Sequence, residues 1–232
     1  AARVARKLHS CRRNLTNPPA SMFIFRQLFD ARSHAFMYLL GDRASGEAVA
    51  IDVVPPPTLH SAFGLLAELD LHARYLLLTH AHRATLPLAS TFVERSGARV
   101  AGSPVDAPTL VEHALEHGAQ VDFGPEHVDV IATPGHTLGS ASYLWRDRLF
   151  TGDALLIGGC GCPQHPAVDP ARLYDSVVHR LFSLPGETLV FPGHDHCGRT
   201  VSTVAEERET NPAFAHRSRD EFITRRRDGA RP

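Results

Sequence analysis

The sequence predicts an α/β protein built as one layered domain. Short apolar runs typical of strands alternate with segments whose apolar residues recur at helical spacing. No linker divides the chain after its first residues, and a length of 232 residues suits one large domain. The composition, 43% hydrophobic and 21% charged, is ordinary for a folded globular chain.

The first half of the chain contains most of the predicted strands. Apolar, β-rich runs predict strands at residues 23–28, 35–40, 48–54, 75–78 and 99–101. The prolines at 55–57 prevent a helix until Thr58, which is predicted to cap a helix over residues 59–69. Helical spacing predicts two more helices, over residues 86–96 and 107–117, ended by Gly97 and Gly118.

The second half alternates in the same way. Strands are predicted at residues 128–131, 141–145, 148–151 and 189–191. Helices are predicted at residues 172–181, 202–208 and 219–227. Asn211-Pro212 ends the second of these helices, because proline disfavours helical backbone at the residue before it.

Residues 1–21 are predicted to be an N-terminal extension ahead of a domain over residues 22–232. The extension has no acidic residue and five basic ones: Arg3, Arg6, Lys7, Arg12 and Arg13. An Arg-rich, acid-poor start is typical of a transit peptide, which would make the protein mitochondrial. Because Met22 stands directly before the first strand, we prefer the alternative that the extension is added upstream sequence and the protein cytoplasmic.

The composition argues against several classes of partner. The formal net charge of -1 gives no general attraction to nucleic acid or to an anionic membrane, so neither is expected as a partner. No apolar run approaches the roughly 20 residues that span a bilayer. The cysteines form no paired CxxC motifs and are too sparse for a disulfide framework, which favours a reducing compartment: Cys11, Cys160, Cys162 and Cys197.

Candidate metal ligands follow short apolar strands at several separate places. His80 and His82 come directly after one predicted strand, and the same pattern recurs at His136, Asp153 and His194. Strand ends of a layered α/β fold meet at one edge of the sheets, where ligand sites form. Imidazole and carboxylate groups are ligands for transition metals, so the pattern predicts a metal site.

These motifs resemble the metallo-β-lactamase superfamily. Thr79-His80-Ala81-His82 resembles the start of its His-x-His-x-Asp-His motif, and its later motifs follow in order at Pro134-Gly135-His136-Thr137, Thr151-Gly152-Asp153 and Pro192-Gly193-His194. Within the superfamily the chain is most similar to the persulfide dioxygenases. That similarity is carried by residues 25–30, 152–157 and 200–212.

The resemblance implies an αββα sandwich of two mixed β-sheets flanked by helices. It also implies one Fe(II) per chain, held by His80, His136 and Asp153, with zinc as the alternative metal. Two histidines and one carboxylate form the facial set that leaves positions for O2 and substrate. The implied reaction oxidises a low-molecular-weight, glutathione-like persulfide with O2 to sulfite and thiol. Relatives are often homodimers, so a homodimer is one expected assembly.

The chain departs from the family pattern at three places. After His82 the family has x-Asp-His, whereas here Arg83, Ala84 and Thr85 follow. The family's Cys-Gly-Arg loop, whose arginine helps to hold glutathione, here ends in Cys162. The aromatic residue that usually follows His-Asp is His196.

Other residues have secondary roles in the predicted site. His82 and His194 are predicted to lie beside the ligands or to replace one, and Asp52 to orient the site by hydrogen bonds. Substrate contact is considered for Cys160, Cys162, Asp195 and His196. The arginines at 225–227 are predicted to form a solvated helix end, and His34 to have no role in the site.

Three functions remain open at this point. The first is an iron-dependent persulfide dioxygenase. The second is a thioester hydrolase of the glyoxalase II type, which would act through metal-bound hydroxide. The third is a non-catalytic member of the superfamily. Ala84 and Thr85 count against the hydrolase, because dinuclear hydrolases ligate metal through the residues at those positions.

Overall fold

The computed structural model describes residues 23–161 and 168–227, and within them twelve strands form two sheets. The first sheet has the strand order β1 (Phe23–Asp30), β2 (Ala35–Asp42), β3 (Glu47–Ile51), β4 (His72–Leu77), β5 (Arg99–Gly102), β6 (His113–Ala114). The second has the order β12 (Ser202–Thr203), β11 (Leu189–Pro192), β10 (Arg148–Gly152), β9 (Ala141–Trp145), β8 (Glu126–Ala132), β7 (Gln120–Phe123).

Both sheets are mixed. In the first sheet β1, β2 and β3 pair antiparallel, whereas β3, β4, β5 and β6 pair parallel. In the second sheet β10 and β11 are parallel and the remaining pairs antiparallel. The helices of the described chain are α1 (Thr58–Glu68), α2 (Leu86–Ser96), α3 (Pro170–Ser176), α4 (Val204–Thr210) and α5 (Arg219–Arg227). Helix α3 continues directly into a π-helical turn over Val177–Leu181.

Three apolar clusters define the layers. The middle cluster lies between the sheets and combines Tyr38 and Ile51 of the first sheet with Tyr143 and Phe150 of the second. A second cluster packs the outer face of the first sheet against α1 and α2, and a third packs the second sheet against α3, α4 and α5. The order of layers is therefore helix, sheet, sheet, helix, which confirms the predicted αββα sandwich.

Two local predictions are wrong. Residues 107–117 do not form a helix, because Glu112 N–H and Leu115 N–H donate to the carbonyls of Val100 and Gly102 and place β6 beside β5. Thr58 begins α1 but does not cap it, since its hydroxyl donates instead to Asp30 Oδ1 at 3.1 Å. The short strands β6, β7 and β12 were missed, because two to four residues give little periodicity to read.

Candidate metal centre

The structure brings the predicted strand-end residues together at one edge of the sandwich. His80 and His82 follow β4, His136 follows β8, Asp153 follows β10 and His194 follows β11. Each of these strands has an apolar face buried in the core, so its end is fixed by packing.

Three histidines and one carboxylate converge on a common point. The ligand atoms of His80, His82 and His136 all lie within 4.8 Å of one another, and Nε2 of His82 is 3.1 Å from Nε2 of His136. Asp153 Oδ2 lies 3.7 Å from Nε2 of His136 and 3.9 Å from Nε2 of His80. Donor atoms about 2.0–2.2 Å from a metal lie about 3–3.5 Å apart. The His82–His136 separation falls in this range and the two Asp153 separations slightly exceed it, so small side-chain movements fit these residues to a transition metal ion.

A hydrogen-bond chain behind His80 sets the direction of its imidazole. Asp52 Oδ1 accepts from the Thr79 backbone N–H at 2.8 Å, and Asp52 Oδ2 accepts from the Thr79 hydroxyl at 2.7 Å. The Thr79 oxygen lies 2.9 Å from Nδ1 of His80. While Asp52 is ionised, the hydroxyl proton of Thr79 points to Asp52. The Thr79 oxygen then accepts a hydrogen bond from Nδ1–H of His80, which leaves the lone pair of His80 Nε2 available for a metal.

Burial raises the pKa of Asp52 to about 7, against the opposing effect of its hydrogen bonds from Thr79. Its backbone has a φ of 56°, an uncommon value for a residue other than glycine. Asp52 therefore has an unusual backbone conformation, in which its carboxylate is hydrogen-bonded to Thr79. Thr79 in turn contacts His80.

Asp153 is held by His194. His194 Nδ1 lies 2.6 Å from Asp153 Oδ1 and donates to it. Burial opposes ionisation of Asp153, but this bond and the electrostatic interactions with His80, His194 and His136 keep its pKa below the ordinary value. Burial would lower the pKa of His194, yet the bond to Asp153 raises it. With Oδ1 engaged by His194, Oδ2 faces His80 and His136.

A loop glycine packs directly on the imidazole of His136. A Cβ added at Gly161 would lie 2.3 Å from His136 Nδ1, so only glycine fits without movement. Gly161 N–H also donates to the Asp153 carbonyl at 2.7 Å. One residue therefore contacts two of the proposed ligand positions.

The four residues considered for substrate contact differ in their surroundings. Cys160 is buried among apolar side chains, and burial raises the pKa of its thiol to about 11, so it is not a thiolate at neutral pH. Cys162 lies outside the described residues. Asp195 Oδ1 accepts from the backbone N–H groups of residues 197–199, which uses that oxygen within its own loop. His196 is exposed and stacks on His194, with ring centroids 6.1 Å apart and planes at 8°.

Two further residues lie near the site, and sequence reasoning misjudged the second of them, Arg226. His34, predicted to have no role, lies in the β1–β2 turn with its ring 6.0 Å from that of His196. Its carbonyl accepts from Asp195 N–H at 2.9 Å. Arg226, predicted to be solvated, is only 6% exposed. The spacing of four residues between Phe222 and Arg226 places both on one face of the helix, a signal that the run of arginines obscured. No local signal identifies the contact of His34, because it joins segments far apart in the chain.

In the loop over residues 82–85, which departs from the family pattern, the Thr85 side chain bonds to the His82 backbone. Thr85 Oγ1 donates to the His82 carbonyl at 2.9 Å and accepts from His82 N–H at 3.1 Å. Arg83 and Ala84 are exposed. The Thr85 hydroxyl therefore serves the loop backbone.

Comparisons with known proteins agree with the fold. The structure of a metallo-β-lactamase from Staphylococcus aureus superimposes with a TM-score of 0.76 at 25% identity, covering 88% of this chain and 66% of that one. The crystal structure of ETHE1 from Myxococcus xanthus gives a TM-score of 0.84 at 44% identity, covering 90% and 92%. The human mitochondrial persulfide dioxygenase ETHE1 is 38% identical over 233 residues, which are 95% of this chain and 85% of the human protein.

A hydroxyacylglutathione hydrolase from Cereibacter sphaeroides is also similar, at 32% identity over 80% of this chain and 72% of its own length. No family model matches the chain.

The fold and the cluster of metal-binding side chains define a metalloprotein of the metallo-β-lactamase superfamily, as the motifs predicted. Within that superfamily the chain belongs to the persulfide dioxygenase family, and the resemblance seen in the sequence is confirmed.

Proposed function

We propose that the chain is a mononuclear, iron-dependent dioxygenase that oxidises a low-molecular-weight, glutathione-like persulfide to sulfite and thiol. The observation that supports the proposal is that Asp153 Oδ2 lies within 3.9 Å of Nε2 of both His80 and His136, in a chain of this family. In the proposed reaction the outer sulfur gains two oxygen atoms from O2 and one from water. The S–S bond breaks, the inner sulfur leaves as the thiol, and four electrons pass from sulfur to O2.

We assign His80, His136 and Asp153 as the iron ligands. When bound, Fe(II) would supply the one-electron redox chemistry that lets O2 react with sulfur. His194 holds Asp153 by its Oδ1, and Asp52 acts on His80 through Thr79. His82 is the alternative donor, and a set that included it would be the three-histidine set that suits zinc.

The proposal also covers the setting of the enzyme. We assign it to a reducing compartment: the cytoplasm, or mitochondria if residues 1–21 are a transit peptide. No helix in the described ranges is long and apolar enough to cross a membrane. Its partners are the persulfide and O2, and we propose a homodimer as the assembly. Fractionation of cells and the mass of the protein in solution test these two assignments.

The direct test is O2 consumption. Protein loaded anaerobically with Fe(II) should consume O2 when given glutathione persulfide and should release sulfite. Asp153→Ala should abolish both signals. The matched control His72→Ala removes an exposed histidine of β4 and should leave both unchanged.

The same preparation distinguishes the hydrolase alternative, which the similarity to hydroxyacylglutathione hydrolases favours. Hydrolysis of S-lactoylglutathione without O2 uptake would replace the dioxygenase with a thioester hydrolase. Absence of both activities in metal-loaded protein would favour a non-catalytic member.

A further inference from the structure

Residues 156–161, here called the backing loop, connect the metal centre to the C-terminal helices. At one end the loop contacts the metal centre through Gly161, which packs on His136 and bonds to the Asp153 carbonyl. Leu156 and Gly159 bond to each other within the loop, and the loop backbone is also bonded to buried polar side chains of the C-terminal region. These side chains are Glu207, Asn211 and Arg226.

Glu207 and Asn211 hold the first part of the backing loop. Asn211 Nδ2 donates to the carbonyls of Leu156 and Gly159 at 3.1 and 3.0 Å, and also to Glu207 Oε2 at 2.8 Å. Glu207 Oε2 accepts in turn from Gly158 N–H at 3.0 Å. Glu207 and Asn211 are 1% and 0% exposed, so no solvent competes for these bonds.

Arg226 holds the last part of the backing loop from α5. Its Nη2 donates to the Gly161 carbonyl, and its Cζ lies 5.7 Å from the ring centroid of Phe222. Its Nε and Nη1 are buried and have no hydrogen-bond partner among residues 23–161 and 168–227. A buried guanidinium stays charged and is costly when incompletely paired, so Arg226 is a poor choice for stability alone.

We propose that Arg226 is a positioning residue for the metal centre, acting through the Gly161 carbonyl to hold the backing loop against His136 and Asp153. Glu207 and Asn211 support the same loop from α4 and its end. The inference rests on the ligand positions assigned under the proposed function, but not on persulfide oxidation.

The test measures metal retention rather than turnover. Arg226→Met keeps an apolar stem of similar length and removes the donor to Gly161. We expect Zn(II) or Fe(II) to pass to a competing chelator about 10–100 times more readily than from wild type, the usual effect of losing a residue that supports metal ligands. Arg226→Lys keeps a charged donor and should recover part of this loss. The neighbouring Arg225 is exposed, and Arg225→Met should behave as wild type.

Three results would overturn the proposal. The first is unchanged metal retention in Arg226→Met together with a lower melting temperature, which would make Arg226 merely structural. The second is equal loss of metal from Arg225→Met and Arg226→Met. The third is normal metal retention with a raised KM for a carboxylate-bearing persulfide, which would make Arg226 a substrate contact. If Arg226→Met does not fold, Arg226→Lys carries the same comparison. Because metal retention is measured without persulfide, failure of the dioxygenase assay would leave this test intact.

Discussion

The two oxygens of the Asp153 carboxylate have different partners. Oδ1 is bonded to His194 at 2.6 Å, whereas Oδ2 faces His80 and His136 at 3.9 and 3.7 Å. A carboxylate fixed at one oxygen presents the other in a defined direction, which is how residues beside a metal site orient its ligands. The roles of Asp153 and His194 can therefore be separated by substitution.

We predict that His136→Ala or Asp153→Ala abolishes metal binding, whereas His194→Ala lowers activity and keeps much of the metal. Removing one of three protein donors leaves too few to hold Fe(II) against water, while removing His194 only loosens Asp153. Elemental analysis of desalted protein and O2 uptake measure the two effects. Complete loss of metal from His194→Ala would identify His194 as a direct ligand.

At the scale of elements, the loop that carries His136 is packed closely against α3. Ser176 Oγ donates to the Pro134 carbonyl at 2.8 Å, and Asp169 N–H donates to the Gly135 carbonyl at 2.7 Å. Gly135 has a φ of 144°, and a Cβ there would lie 2.3 Å from the Leu173 backbone. Glycine is therefore required twice, for its backbone conformation and for the close approach of the helix.

We predict that Gly135→Ala destabilises the fold by about 3 kcal/mol or more and impairs metal binding, because either α3 or the His136 loop must move. Gly118→Ala is the matched control, since Gly118 has a φ of 83° with nothing within 4 Å of an added Cβ. It should cost only about 1–2 kcal/mol, the strain of left-handed backbone. Urea unfolding compares the two. Equal costs would mean that packing against α3 is unimportant.

A second contact between elements, which joins the end of β1 to the start of α1, should depend on pH. Asp30, at the end of β1, is 2% exposed and accepts from Ser33 N–H and Oγ at 2.8 and 2.7 Å. It also accepts from Thr58 at the start of α1. The Ser33 hydroxyl, above all, lowers the pKa of Asp30 from its ordinary 3.8. A depressed pKa in the folded state means stability that is present above the unfolded pKa and lost as pH falls through the folded one.

We predict that Asp30→Ala lowers the free energy of unfolding by about 1–3 kcal/mol at pH 7, the range for losing hydrogen bonds to a charged group. The difference from wild type should persist down to about pH 4 and shrink below it, as Asp30 of the wild type becomes protonated. Thermal unfolding across this pH range measures it. The control Asp122→Ala removes an exposed carboxylate and should show neither effect. A constant difference at every pH would show that the charge of Asp30 is not involved.

At the scale of the whole molecule, the number of metals distinguishes the proposed dioxygenase from a dinuclear hydrolase. A second metal in the superfamily needs the Asp and His that follow His-x-His. Here Ala84 offers only a methyl group, and the Thr85 hydroxyl is bonded to the backbone of His82. His194 and a shared Asp153 oxygen would remain as donors, too few to hold a second cation.

We predict one metal ion per chain after loading with excess metal and desalting, measured by elemental analysis. Ala84→Asp combined with Thr85→His should raise the stoichiometry, because the double substitution supplies the two missing donors. A ratio near two in the wild-type protein would contradict the prediction and favour the hydrolase.

The sequence by itself determined the types of residue at the site, their order and the elements that carry them. A run of consecutive apolar residues predicts a buried strand. Such a run directly precedes both Thr79-His80-Ala81-His82 and Thr151-Gly152-Asp153. These local patterns predicted the edge at which the candidate ligands meet, and the family and its αββα fold followed from the resemblance that the motifs carry.

Only the tertiary structure decided how these residues are held. The bond from His194 to Asp153, the approach of His34 to His196 and the burial of Arg226 against Gly161 join segments far apart in the chain. Local propensity depends on a few neighbouring residues, whereas these contacts exist because two sheets and their helices pack in one arrangement. Arg226 shows the limit most clearly: three consecutive arginines suggest solvent, and only the packing of α5 directs the middle one inward.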